Sequence, residues 1–192
     1  MCGRATAMQL IEDGRIIFAM QRSRSLFALF GFGAAVAGAA WFGSRYSPRD
    51  ARTKLWYRRL EKPGFNPPDY VFPVVWTMLY SLIAFSGWRI WEAEDSPERT
   101  AALRLWAKQL VANAEWTRLF FGEHRPVRAL ADVLILESLI VRYIRNAKDV
   151  DRAAALTFIP YGAWVAFATV LNAEIVRRNP DAARAFPRPR AA

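Results

Sequence analysis

The 192-residue sequence has little of what most active sites are built from. One cysteine, Cys2, cannot close a disulfide within the chain, and with a single histidine, His124, it excludes a Cys/His metal cluster. A histidine-based catalytic triad would have to use His124 alone. Acidic residues are also scarce: 17 Asp plus Glu stand against 27 Lys plus Arg, for a net charge of +10. Such an excess fits either a nucleic-acid partner or basic loops beside a membrane. Hydrophobic residues are abundant, at 54%, and 14% of the chain is aromatic, with eight Trp. That content excludes a disordered chain, and the length allows one domain. The mean hydropathy of +0.03 is low for a membrane protein, so the distribution of the charges decides.

Three uncharged runs, Ser25–Ser44, Tyr70–Trp88 and Ala153–Ala173, each reach the roughly 20 residues that a helix needs to cross a bilayer core. Two more stretches of helical length lie between the second and third and do carry charge. Ala101–Gly122 holds Arg104, Lys108, Glu115 and Arg118; Val127–Ile144 holds Arg128, Asp132, Glu137 and Arg142. Short turns at Gly122–Pro126 and Asn146–Arg152 make these two antiparallel neighbours of the apolar runs. The fold class expected is all-α, a five-transmembrane-helix bundle over 25–179, with helices at about 25–44, 70–91, 101–122, 127–146 and 153–177. Residues 1–24 read as an N-terminal tail, an artefact of start choice or a short interfacial helix, and 180–192 as a Pro/Arg-rich C-terminal tail.

Arg104, Lys108, Arg128 and Arg142 lie near helix ends and can snorkel to the headgroups. Glu115 with Arg118 and Arg128 with Asp132 stand three and four apart, spacings that fit ion pairs. Glu137 has no base at such a spacing. These groups read first as structural pairs fixing helix register, and second as polar lining of a ligand cavity. Gly31, Ala35 and Ala39, with Ala34 and Gly38, give the first helix small-residue faces that suit a contact inside the bundle or a homodimer equally. Loop Lys and Arg number nine on the N-terminal side and fourteen on the side of the first loop and C-terminus. The first loop and C-terminus are therefore expected in the cytoplasm and the N-terminus outside. Basic residues separated by membrane spans form no continuous basic face, which argues against nucleic acid.

The first loop carries Trp56-Tyr57 and then Lys62-Pro63-Gly64-Phe65-Asn66-Pro67-Pro68, a stiff segment that suits a lid or, on physical grounds preferably, a connector. From here the chain resembles the translocator protein family, also called the tryptophan-rich sensory protein or peripheral benzodiazepine receptor family. Gly43-Ser44-Arg45, Trp56-Tyr57, Lys62-Pro63 and Pro67-Pro68 carry the likeness, followed by Val71-Phe72-Pro73-Val74-Val75-Trp76-Thr77 and Leu79-Tyr80. It continues through Gln109-Leu110, Asn113, Trp116, Phe120-Phe121-Gly122, Ala129-Leu130, Asp132, Pro160-Tyr161, Trp164, Phe167-Ala168 and Leu171-Asn172, over roughly 40–179.

The resemblance implies an integral membrane receptor or carrier for tetrapyrroles, protoporphyrin and haem among them, and for related hydrophobic small molecules, with a sensory or transport role. It implies no required cofactor, porphyrin or haem entering as ligand. Photo-oxidative breakdown of bound porphyrin is the alternative, and no conventional catalytic constellation supports it. By position, the resemblance puts Trp56, Pro68, Trp76, Tyr80, Asn113, Trp116, Phe120, Trp164, Ala168, Leu171 and Asn172 around the ligand. Rings would stack, the two Asn would hydrogen-bond, and Ala168 would leave room. Trp41, Trp88, Trp91 and Trp106 read as packing or interfacial belt. Three departures stand out: Leu171–Arg177 lacks the tyrosine of the family's sterol motif, Tyr70 replaces a usual Trp, and Glu115, Arg118 and Glu137 replace mostly apolar residues or Pro.

Overall fold

The computed structural model describes residues 3–48 and 51–181, with side chains described from residue 22 onward. Among them there are six helices and no strand: α1 (Gly3–Ser44), α2 (Ala51–Arg59), α3 (Val71–Glu92), α4 (Pro97–Thr117), α5 (Pro126–Ala147) and α6 (Arg152–Arg178). The expected count of five becomes six because the first loop folds its own nine-residue helix, α2. The first helix also starts earlier than expected. Its backbone is helical from Gly3, so most of the expected tail continues the first helix. Of the expected C-terminal tail, 182–192 lie outside the described residues.

Local chemistry sets the boundaries. Ser96 caps α4, its Oγ accepting the Arg99 N–H at 3.0 Å, with Pro97 beside it. Asp151 caps α6 through the Ala154 N–H at 2.8 Å, and its other oxygen takes the Arg89 guanidinium of α3 at 2.6 Å. Pro126 opens α5. Between α4 and α5 the chain widens into one π-helical turn, Arg118–Gly122.

The helices pack around a closed ring in the order α1, α3, α6, α5, α4, with α3 also touching α4. The buried Ser86 hydroxyl joins three of them, pairing with the Tyr143 hydroxyl at 2.7 Å and donating to the Ala154 carbonyl at 2.8 Å. Where α1, α3 and α4 meet, Gly87 is pinned: a Cβ there would stand 2.6 Å from both Phe32 and the Trp106 indole nitrogen. Trp106 cannot step aside freely, since its N–H donates to the Ile83 carbonyl at 2.9 Å. The small-residue face of α1 lies mostly outside the ring: Ala39 packs against the core, but Gly31, Ala34, Ala35 and Gly38 are exposed, and a Cβ on either glycine would meet nothing within 4 Å.

Among the described residues, three helices are long and apolar enough to cross a membrane: Arg22–Ser44, Val71–Glu92 and Arg152–Arg178. They coincide with the three uncharged runs. Of the two expected ion pairs in the charged helices, Glu115–Arg118 forms, Arg118 Nε reaching Glu115 Oε2 at 2.9 Å, with Glu123 on its other side. Arg128–Asp132 does not form. Arg128 is exposed, and Asp132 keeps one oxygen buried with no hydrogen-bond partner, as does Glu137.

Candidate functional site

Beneath the first loop, α2, the π-helical turn, α5 and α6 enclose an aromatic cluster of Trp56, Leu60, Phe120, Ala129, Leu171 and Ile175. Trp56 is 1% exposed although α2 is mostly polar. It meets Phe120 edge-on at 5.6 Å and stacks on His124 at 4.4 Å. The π-helical turn makes this possible. Its extra residue brings Phe120 parallel to Trp116, centroids 5.1 Å apart at 19°, and packs Phe121 edge-on against Phe120 and Tyr57. The turn closes tightly on the loop: a Cβ on Gly122 would stand 2.5 Å from the Tyr46 ring.

Two asparagines organise the polar part. Asn172 on α6 accepts the Trp116 indole N–H at 3.1 Å and donates to the Pro126 carbonyl at 3.0 Å, tying α4, α5 and α6. Asn113 on α4 accepts from the Tyr80 hydroxyl of α3 at 3.1 Å and donates to the Tyr161 hydroxyl of α6 at 3.1 Å. Trp76 leans on Tyr80 at 5.1 Å and on Tyr161 at 6.2 Å. Trp164 packs with Phe72 at 6.0 Å and Phe167 at 5.4 Å, and Phe167 in turn meets Phe65 of the loop at 6.2 Å.

Nine of the eleven residues picked out by resemblance therefore belong to two adjoining assemblies. Trp56, Trp116, Phe120, Leu171 and Asn172 form the outer one, Trp76, Tyr80 and Asn113 the inner one, and Trp164 flanks both. Ala168 is half-buried on the same α6 face. Pro68 is exposed in the loop, where its carbonyl accepts the Val71 N–H at 3.0 Å and so starts α3. Tyr161 and His124 were missing from that set. Tyr161 precedes Trp164, Ala168 and Asn172 by three, seven and eleven residues, which puts all four on one helical face, so its place was readable. His124 was not, because it reaches Trp56 through a local backbone conformation with φ of 55°.

The loop is latched rather than merely connecting. Asn179 at the end of α6 accepts the Glu61 N–H at 2.9 Å and donates to the Glu61 carbonyl at 2.9 Å. Together with the burial of Trp56, this packs the first loop over the aromatic cluster. Lys62 lies 4.2 Å over the Tyr57 ring at its edge. Burial lowers the Lys62 pKa, which Asp69 opposes; burial and Asp69 raise that of the Tyr57 phenol, against a hydrogen bond from Asn66. The remaining Trp divide by place: Trp106 is core, while Trp41 and Trp91 are 63% and 47% exposed, under Arg45 and Arg99 respectively.

A helical ring with apolar spans, a loop packed over one end and an aromatic interior with two asparagine junctions defines a helical membrane protein. The chain belongs to the TspO/MBR family, whose profile matches residues 32–178. It is 39% identical over 124 residues to the tryptophan-rich sensory protein of Cereibacter sphaeroides, covering 65% of this chain and 77% of that one. To protein CrtK of Rhodobacter capsulatus it is 35% identical over 159 residues, 82% of this chain and 95% of the relative. To the translocator protein of Bos taurus it is 34% identical over 126 residues, 65% and 75% respectively.

Proposed function

We propose that this protein is a membrane receptor or carrier that binds tetrapyrroles and related flat hydrophobic molecules beneath the first-loop lid. The observation that carries the reading is the lidded cluster of Trp56, Trp116, Phe120 and Asn172: large ring faces beside one fixed hydrogen-bonding group, under a loop held by a single asparagine latch. A conjugated macrocycle matches ring faces, and its carboxylates suit the cations of the lid, Lys62 foremost. The names of the relatives, tryptophan-rich sensory protein and translocator protein, are compatible with sensing or carriage. Titration of the purified protein with protoporphyrin, read by tryptophan fluorescence, tests the proposal. Saturable quenching that weakens in Trp116→Phe and Trp164→Phe is expected; quenching that never saturates, or that both variants leave unchanged, overturns it.

All five long helices, in this reading, cross the bilayer. The 21 residues of α4 and the 22 of α5 reach about 31 and 33 Å at 1.5 Å per residue, close to a hydrocarbon core of about 30 Å. Trp41 at the lid end of α1 and Trp91 at the far end of α3 fall where two interfacial belts would lie. The lid and C-terminus face the cytoplasm. The outward small-residue face of α1 is the homodimer contact, since the ring leaves most of it uncovered. Gly38→Ile is expected to turn a cross-linkable dimer into a monomer with unchanged helicity; a dimer that persists removes this face from consideration.

A further inference from the structure

At the end of the bundle away from the lid, a groove of about 440 Å³ opens between the first turns of α4 and the last turns of α5. Arg104 and Lys108 enter it from α4, Arg142 and Arg145 from α5. Their spacings of four and three residues hold each pair on one helical face, and the packing of α4 on α5 sets the two pairs across the groove from each other. Asp149 supplies one carboxylate at the rim and Asn146 a neutral side chain. All four cations are exposed, and none has an ion pair or hydrogen bond among the described residues. By contrast, Arg89, Arg99, Arg118, Arg125, Arg177 and Arg178 each have a carboxylate partner.

The surface below the groove changes character. Seven residues on from Arg104 and three from Lys108, on the same α4 face, Val111 is 71% exposed. Seven and eight residues before Arg142, Ile135 and Leu134 are 57% and 54% exposed. Seven residues are about 10 Å of helix, so a four-cation head site stands directly above an apolar strip shared by both helices. A free phosphate needs only the first part, and a water-soluble partner would leave the strip bare. A molecule with an anionic head and apolar chains needs both.

We propose that the α4–α5 groove is a binding site for an anionic glycerophospholipid, its phosphate held by Arg104, Lys108, Arg142 and Arg145 and its acyl chains lying over Val111 and Ile135. The proposal rests on α4 and α5 lying in the bilayer. Delipidated full-length protein is titrated with phosphatidylglycerol, phosphatidylcholine or inorganic phosphate, and the occupancy of the tightest site is read by native mass spectrometry. Phosphatidylglycerol is expected to bind at least about tenfold tighter than phosphatidylcholine. At about fivefold per basic residue at a membrane surface, Arg104→Gln with Arg142→Gln should weaken it roughly 30-fold. Lys54→Gln with Arg58→Gln, in the lid, should leave it unchanged. Equal affinity for the two lipids, insensitivity to the groove variants, or displacement of the lipid by inorganic phosphate at millimolar concentration overturns the proposal. A nitroxide at Val111→Cys, on a Cys2→Ser background in liposomes, separates the two premises. A label in the acyl-chain region without lipid preference defeats the groove alone, and a label in water defeats the five-span reading with it.

Discussion

At the scale of single residues, the interior depends on two asparagines, each serving two other helices. Replacing Asn113 by Leu removes the acceptor for Tyr80 and the donor for Tyr161, leaving two hydroxyls without these partners, one of them fully buried. Tyr80→Phe removes one of the two bonds and leaves no new orphan on the tyrosine itself. Interhelical hydrogen bonds in membranes average about 0.6 kcal/mol, and orphaned buried groups cost more, so Asn113→Leu should lose about 1–2 kcal/mol. Chemical unfolding in detergent micelles checks this, and a loss no larger than that of Tyr80→Phe would show that the network contributes little. These residues were partly legible beforehand. The aromatic and amide positions followed from resemblance, but the partners of each amide did not, because spacing along one helix says nothing about the facing helix. The same gap explains Arg128 and Asp132: four residues apart they can pair, yet Arg128 turns outward while Asp132 is half-buried.

At the scale of elements, the long helices were readable because their signal is length without charge, and a single chain shows that directly. The short α2 was not. Its nine residues, Ala51–Arg59, are mostly polar and make little over two turns, with only Thr53 and Trp56 buried, so it lacks the length without charge that marked the spans. The π-helical turn left no trace either, since one extra residue in a helix does not alter its composition. How closely helices approach is equally hidden, and Gly87 is where it matters. Gly87→Ala would place a methyl 2.6 Å from Phe32 and from a Trp106 indole fixed by its own hydrogen bond, so overpacking should cost about 1–3 kcal/mol. Gly33→Ala, where a Cβ meets nothing within 4 Å and which lies off the small-residue face, is expected to be neutral or slightly stabilising because alanine is the better helix former. Thermal unfolding of the two variants side by side decides it; equal behaviour would mean that α1, α3 and α4 pack more loosely than the structure has them.

At the scale of the whole molecule, the charge that first looked ambiguous sorts by end of the bundle. Loop cations number fourteen on the lid side and nine on the other, yet adding those inside helices, with Arg104, Lys108 and Arg142 at the groove end, narrows the sides to fifteen and twelve. Both counts leave the excess on the lid side, so either way the charges favour one orientation. Loop residues close to span ends dominate that choice, whereas cations occupied by a lipid headgroup in the finished protein report on binding. On that ground the proposed orientation puts the lid in the cytoplasm. Gly64 in the lid and Glu94 between α3 and α4 are both exposed and flank one span, so they make a matched pair of probes. On a Cys2→Ser background, Gly64→Cys should react with a membrane-impermeant maleimide only after the cytoplasmic face is opened, and Glu94→Cys should react in intact cells. The reverse pattern would overturn the orientation drawn from the cation count. Reaction of both probes from one side would show that α3 does not cross the membrane.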